Sequence, residues 1–146
     1  RGAVAGCAAL AACTGAQVRP TPNAPCPDGA LQAMKELGLR QGMQIDIHVR
    51  RDVRRNVTVF LDDGPIVSRV FESRRLPDDT LVKGRLWTKG ENVVGRYTEL
   101  ELPNGRRYPV CLVLCDANGC PKSEESTSEQ AAFDNAKVFT VVDVFE

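Results

Sequence analysis

The stretch Met43-Gln44-Ile45-Asp46-Ile47-His48-Val49 alternates apolar and polar residues without a break. Successive side chains of a β-strand point to opposite faces, so a period of two predicts a strand with one buried face and one solvated face. The odd-numbered apolar residues then face a core. The even-numbered residues, His48 among them, are expected to face solvent.

Further segments of this kind follow along the chain, at residues 57–61, 66–71, 81–87, 92–100, 108–115 and 137–145. Turn residues separate them at positions 62–65, 89–91 and 103–105, which are rich in Gly, Asp, Asn and Pro. Residues 81–100 read as a hairpin, residues 124–135 as a loop or a short helix, and the final strand as one that closes or edges a sheet. This organisation predicts a mainly β fold, an antiparallel β-sandwich or small barrel with one short N-terminal helix.

The predicted helix precedes the first strand. Leu31, Met34 and Leu37 recur at helical spacing, Asp28 is placed to cap the helix, and Gly38 is placed to end it. We expect this apolar stripe to be core packing.

The overall composition excludes several functional classes. The chain has 146 residues, the size of one domain, and its 19 basic residues balance its 19 acidic residues. A balanced charge and 5% aromatic residues argue against a nucleic-acid partner. Because the sequence has no phosphate loop, nucleophile elbow or metalloprotease motif, we expect no cofactor and no catalysis.

The N-terminal segment predicts an extracytoplasmic protein. Residues 1–13 match the apolar part of a secretory signal, and Leu10-Ala11-Ala12-Cys13 resembles a bacterial lipobox, which predicts lipidation of Cys13. Residues 14–27 read as a proline-rich tether and residues 28–146 as a single domain. The alternative is that residues 1–13 pack in the fold with Cys7 and Cys13 bridged. We expect the protein to be anchored in the cell envelope by lipid, or secreted.

The cysteine spacing favours disulfides. Six cysteines in a chain of this length suggest an oxidising compartment. On a straight strand, Cys111 and Cys115 lie about 13 Å apart, well beyond the roughly 5.5 Å of a disulfide. Cys115 and Cys120 bracket a short Asn-Gly reversal that a bridge closes easily. If Cys7 and Cys13 are removed or lipidated, Cys26 remains for Cys111, although four cysteines permit three pairings.

Two chemical alternatives use the remaining polar residues. Zinc is disfavoured by the cysteine spacing and by the presence of His48 as the only histidine, so we predict no metal site. A small envelope enzyme would have to use His48 or a free cysteine.

The densest basic run is Arg50-Arg51-Asp52-Val53-Arg54-Arg55. One interpretation is a polyanion site formed by Arg50, Arg51, Arg54 and Arg55. The other, which we favour, is a solvated hairpin connection whose charge nearby aspartates offset.

Three motifs carry a family resemblance: Gly84-Arg85-Leu86-Trp87, Gly95-Arg96-Tyr97-Thr98-Glu99 and Tyr108-Pro109-Val110-Cys111. Together with Cys26-Pro27 they resemble a group of myxobacterial proteins that occur as secreted or lipoprotein-like chains. Related segments of that group lie beside serine/threonine protein kinase domains. The resemblance spans residues 26–114 and implies an extracytoplasmic module, a candidate for a sensory role, with a bridge between Cys26 and Cys111. It carries over no kinase residue.

These observations predict a non-catalytic extracytoplasmic β-domain that acts as a binding, sensory or envelope-structural module. The expected partners are a protein or envelope ligand and, through the lipid anchor, a membrane.

Overall fold

Nine β-strands and one α-helix are found in residues 19–146, the part of the chain that the computed structural model describes. They are α1 (Ala30–Glu36), β1 (Gln44–His48), β2 (Thr58–Leu61), β3 (Gly64–Val70), β4 (Leu81–Trp87), β5 (Asn92–Glu101), β6 (Arg107–Leu114), β7 (Cys120–Pro121), β8 (Ala131–Asp134) and β9 (Ala136–Val141). The mainly β fold with one short N-terminal helix is as predicted. Cys7, Cys13 and the lipobox-like segment lie outside the described residues.

Six antiparallel strands close into a barrel, in the order β3, β1, β9, β6, β5, β4, with β4 pairing back onto β3. The closing strand is β9, which places Phe139 opposite Ile45 of β1 and opposite Leu114 of β6. The final strand of the chain therefore closes the sheet, one of the two positions expected for it. The predicted hairpin of β4 and β5 is also confirmed.

Strands β2 and β8 form a separate two-stranded sheet outside the barrel. The prediction of a loop or helix at residues 124–135 was wrong for β8, because this segment pairs with β2 over its whole length. The turn at residues 62–65 does not join two paired strands. It leads the chain from β2 into the barrel strand β3.

Apolar side chains fill the barrel interior. The pairs Ile47 with Val70 and Val82 with Leu100 lie opposite each other on neighbouring strands, and all four are almost fully buried. Tyr97 is buried among them, and burial raises the pKa of its hydroxyl far above the usual value. Because this interior is packed core, ligand chemistry has to be sought on the outer surface of the barrel.

Helix α1 packs against β6, and the two ends of the described chain meet each other. The backbone N–H of Cys111 lies 3.3 Å from the Met34 sulfur of α1, and Cys111 is bridged to Cys26. The backbone N–H of Phe145 donates to the carbonyl of Ala24 at 2.9 Å. Residues 24–27, which the sequence places in the tether, thus pack against the barrel. No helix in residues 19–146 is long and apolar enough to cross a membrane.

Helix α1 differs from the prediction in its N-terminal cap and in which of its residues face the core. It starts after Gly29, whose φ is 80°, with no side-chain cap, so the capping role of Asp28 was wrong. Leu31 is 54% exposed, whereas Ala30 and Met34 are buried. Residues four apart share one helical face, and here the face of Ala30 and Met34 lies on β6.

Candidate functional site

The four described cysteines form two disulfides, Cys26 with Cys111 and Cys115 with Cys120, which are the pairs that the sequence predicts. Their Cα atoms lie 5.4 and 5.6 Å apart. None of these cysteines is therefore a free thiol nucleophile, and within residues 19–146 no group of acidic, His and Cys side chains could hold a metal ion. The two disulfides indicate an oxidising, extracytoplasmic environment.

His48 does not face solvent as predicted, since it is only 6% exposed. Its side chain lies outside the barrel, as strand alternation requires, but the following loop folds over it. The ring Nδ1 donates to the Val53 carbonyl at 2.9 Å, and the ring packs edge-on against Phe71. These contacts give His48 a structural role in attaching the loop to the barrel.

Arginines of residues 50–55 also attach this loop to the neighbouring strands β1 and β2. Arg50 and Arg55 donate to backbone carbonyls at 3.3 and 2.8 Å, and Arg51 lies 3.8 Å from Asp52. Of the four arginines, Arg54 is the one whose side chain makes no hydrogen bond or ion pair with another described residue. The loop joins β1 to β2, which do not pair, so the expected hairpin connection was wrong.

Asn135, which lies between β8 and β9, also holds the loop that follows β1. Its buried amide accepts from the Arg50 N–H at 2.7 Å and donates to the Val53 carbonyl at 2.7 Å. A satisfied buried amide of this kind holds a loop in one conformation. Sequence reasoning missed this residue, because it lies just before the final strand, far from the segment that it holds.

The most distinctive polar surface lies on the outer face of β4 and β5. Arg85 of β4 stands directly opposite Arg96 of β5, while Gly95 faces the buried side chains of Leu86 and Leu114. The ladder shifts register between Lys83 and Gly84. Two of the segments that carry the family resemblance are therefore paired with each other here.

Gly84 permits a close approach of the two strands. A Cβ atom at this position would overlap the backbone carbonyl of Arg96 and lie 2.7 Å from the Cα of Tyr97. The absence of a side chain thus lets β4 and β5 approach where the register shifts. This approach sets the positions of the two arginines.

Aromatic rings and guanidinium groups alternate across this face. The Arg96 guanidinium carbon lies 5.0 Å from the centre of the Phe145 ring and 5.9 Å from that of Trp87. The Arg85 guanidinium carbon lies 5.2 Å from the Trp87 ring, and its Nη2 lies 3.6 Å from an Asp63 carboxylate oxygen. Such cation–π contacts hold the guanidinium groups in fixed positions.

These groups border a cavity of about 470 Å³, which we call the arginine–tryptophan cleft. Its lining consists of Lys83, Gly84, Arg85, Trp87, Arg96, Thr98, Glu99 and Phe145. The cleft combines cations, a hydroxyl group and two aromatic rings. This mixture is typical of a site that orients a polar ligand on an apolar wall.

Arg96 is the most buried cation of the cleft. It is 8% exposed, and no side-chain carboxylate of residues 19–146 lies within ion-pair distance of it. Its Nη2 donates at 3.2 Å to the main-chain oxygen of Glu146, the last residue of the printed sequence. Burial lowers the pKa of the Arg96 guanidinium. Its other N–H donors have no hydrogen-bond partner among the described residues.

Trp87 adds a second unused donor. Its indole Nε1 is buried and has no hydrogen-bond partner among the described residues. Buried N–H groups of tryptophan usually find an acceptor. Trp87, which lines the cleft, thus keeps an indole N–H that no described residue satisfies.

The neighbouring charges, by contrast, are paired. Lys83 Nζ lies 2.7 Å from Glu101 and 3.6 Å from Glu99, and Arg107 lies within 4 Å of the same two carboxylates. The hydrogen bond from Lys83 is the main reason why the pKa of Glu101 is lowered. This network leaves little free charge on the Lys83 side of the cleft.

We expect Glu101→Gln to destabilise the protein at neutral pH, with an effect that shrinks in acid. A carboxyl whose pKa is lowered by folding stabilises the fold above its ordinary pKa of 4.5 and loses that contribution as the pH falls through the folded value. Urea unfolding at pH 7 and at pH 3 checks this. Glu91→Gln is the control, because Glu91 makes no ion pair with a described residue; a Glu101 effect equal at both pH values would contradict the prediction.

No family model, curated protein or solved structure matches the chain. Whether the cleft is a functional site therefore has to be judged from its geometry. None of the described residues that were predicted from the sequence as site residues lies in it: Cys111 and Cys26 join the N-terminal segment to the barrel, Cys115 and Cys120 close a loop, and residues 50–55 lie elsewhere.

Proposed function

We propose that the chain is a non-catalytic, extracytoplasmic binding module that binds its ligand in the arginine–tryptophan cleft. The observation that carries the proposal is the pair of guanidinium groups of Arg85 and Arg96, which stand opposite each other and are held against the aromatic rings of the cleft. A positioned cation of this kind orients a ligand at little entropic cost. The unsatisfied indole N–H of Trp87 supports the same role.

The lining of the cleft favours binding over catalysis. It contains no histidine and no cysteine, the side chains that most often transfer protons or attack substrates near neutral pH. The enzymatic alternative through His48 has less support, because the ring is held by the Val53 carbonyl and by Phe71. The polyanion alternative also has less support, since three of its four arginines contact their own chain.

The proposed location is the cell envelope, with attachment through a lipid on Cys13, or the secreted fraction. The two disulfides and the resemblance to secreted and lipoprotein-like myxobacterial chains support it. A binding module on such an anchor serves a sensory or envelope-structural role. Mass spectrometry of the mature protein tests the anchor: a lipid-modified Cys13 at the N-terminus supports it, and an unmodified N-terminus upstream of Cys13 contradicts it.

Trp87 offers a direct test of binding, because it is the single tryptophan of the chain. We expect its fluorescence to change in a saturable way with one ligand class from a panel of peptides, sugars and phospholipid headgroups. Mass spectrometry should find the bound compound chemically unchanged. Arg85→Ala should abolish the response, whereas Arg54→Ala, which alters an arginine outside the cleft, should preserve it. A consumed ligand, or no response to any compound, would overturn the proposal.

A further inference from the structure

The two-stranded sheet of β2 and β8 has one covered edge and one open edge. On the outer side of β8, the Ala132 carbonyl accepts from the backbone N–H of Ser123 at 2.8 Å. The Ala132 N–H donates to the Ser126 hydroxyl, also at 2.8 Å. The segment that precedes β8 thus covers this edge of the small sheet.

These contacts also determine which backbone groups of β2 face outward. Ala132 stands opposite Phe60, and its N–H and carbonyl point away from β2. Opposite residues in an antiparallel ladder either bond to each other or both point away, so the N–H and carbonyl of Phe60 point away from β8. Those of Thr58, two positions earlier, point the same way. The Asn135 N–H, which donates to the Val57 carbonyl at 3.0 Å, fits this alternation.

The open edge of β2 therefore presents backbone groups that the described residues leave without a partner. They are the N–H groups of Thr58 and Phe60 and the carbonyl of Thr58. The Phe60 carbonyl accepts from the exposed Arg50 side chain at 3.3 Å and keeps a second lone pair. An unpaired strand edge of this kind is a template for adding another strand.

The side chains of β2 suit such an addition. The strand Thr58–Leu61 contains no charge, proline or glycine, the residues that commonly protect an edge from pairing. Phe60 is 42% exposed on the outer face of the small sheet. A sheet of two short strands is marginal by itself, and further strands stabilise it.

The charges that flank β2 are complementary to those of a second copy. Arg54 precedes the strand and Asp62 follows it, and both residues are exposed. Neither forms an ion pair with a described residue. In an antiparallel pair the start of one strand lies beside the end of the other, so Arg54 of each copy would approach Asp62 of the other. A parallel pair would bring like charges together.

We propose that two copies of the chain associate through antiparallel pairing of their β2 strands, which joins the two small sheets into one sheet of four strands. Thr58 of each copy then lies opposite Phe60 of the other, and their free backbone groups bond to each other. The two Phe60 rings become diagonal neighbours on one face, within reach of each other. Since none of these residues lines the arginine–tryptophan cleft, this association is independent of the proposed binding function.

Sedimentation equilibrium of the full chain, from micromolar to millimolar concentration, measures the association. A short strand makes a small interface, so we expect a weak dimer that forms as the concentration rises. Phe60→Lys should weaken it by at least about tenfold. Leu31→Lys is the matched control, because Leu31 is the other exposed large hydrophobic residue and lies on α1. A chain that is monomeric throughout, or equal effects of both variants, would overturn the proposal.

Charge reversal tests the antiparallel orientation. Arg54→Asp and Asp62→Arg should each weaken the dimer, because each places like charges at both contacts between the copies. The double variant should recover the association, since opposite charges then meet again. Circular dichroism checks that each variant is folded. Failure of the double variant to recover would exclude the antiparallel pair.

Amide hydrogen exchange, followed by NMR, tests the edge in the unaltered chain. The amides of Thr58 and Phe60 should exchange rapidly in dilute solution and more slowly as the dimer forms. Those of Val59 and Leu61, which face β8, are the internal controls and should be protected at every concentration. Unchanged exchange of Thr58 and Phe60 in the dimer would overturn the proposal. So would a monomeric chain in which only an added peptide, with the sequence of residues 56–62, slows them.

Discussion

Replacing Cys26 and Cys111 together by alanine is expected to lower the free energy of unfolding by about 4.5 kcal/mol. The bridge joins residues 85 positions apart, and a disulfide that closes a long loop removes much conformational freedom from the unfolded chain. Alanine is the suitable replacement, because Cys111 is fully buried and a serine hydroxyl would need a partner there. Urea unfolding under non-reducing conditions measures the loss.

The second disulfide provides the matched control. Cys115 and Cys120 are five positions apart, so the same entropic relation gives about 2 kcal/mol for their double replacement by alanine. Equal losses for the two double variants would contradict an entropic origin. The longer bridge also holds the N-terminal segment whose Ala24 carbonyl accepts from Phe145, so its loss should alter Trp87 fluorescence, whereas loss of the short bridge should not.

Gly84→Ala is expected to be the most damaging single substitution in the barrel, with a loss of about 3 kcal/mol or complete failure to fold. The added methyl group would overlap the backbone of Arg96 and Tyr97, and backbone atoms cannot move aside as a flexible side chain can. Relief requires β4 and β5 to separate, which disrupts the barrel and the cleft together. Thermal unfolding followed by circular dichroism measures the loss.

Gly105→Ala separates this steric effect from the general cost of replacing glycine. Gly105 has a φ of 89°, and a methyl group at this position would have no neighbour within 4 Å, so the substitution should cost about 1 kcal/mol from backbone strain alone. If Gly84→Ala were no more costly than Gly105→Ala, the close approach of the two strands would not be a constraint on the fold.

Strand periodicity was sufficient to predict the barrel strands, because each of them has one face against the core. It failed for β8, whose Ala131-Ala132-Phe133 segment is buried throughout and shows no alternation. Alanine also has little preference for strands. The conformation of this segment is set by pairing with β2, a non-local contact that leaves no local pattern in the sequence.

Alternation also predicted the wrong environment for His48, although it predicted the strand itself. The pattern identifies which face of the sheet a side chain occupies, and not whether another part of the chain covers that face. Here a loop covers it, and Asn135 holds that loop from 85 positions along the chain. Burial on the outer surface of a barrel therefore depends on partners that periodicity does not reveal.

The candidate site was missed for a related reason. The hairpin of β4 and β5 was predicted, but its register was not. The ladder pairs Trp87 with Val94 and so brings Arg85 opposite Arg96. Phe145 comes from the end of the described chain, and no sequence pattern connects it with this hairpin.

The position of β9 dictates when the barrel is able to form. Gln44 of β1 pairs with Thr140 of β9, 96 positions further along the chain, and β9 also completes the ladder of β6. Contacts this distant in sequence slow folding, because a long stretch of chain must be ordered before they form. During synthesis the barrel therefore stays open until its last strand emerges. Until β9 has emerged, β1 and β6 each keep an unpaired edge, and an unpaired strand edge is the part of a sheet most able to pair with another chain.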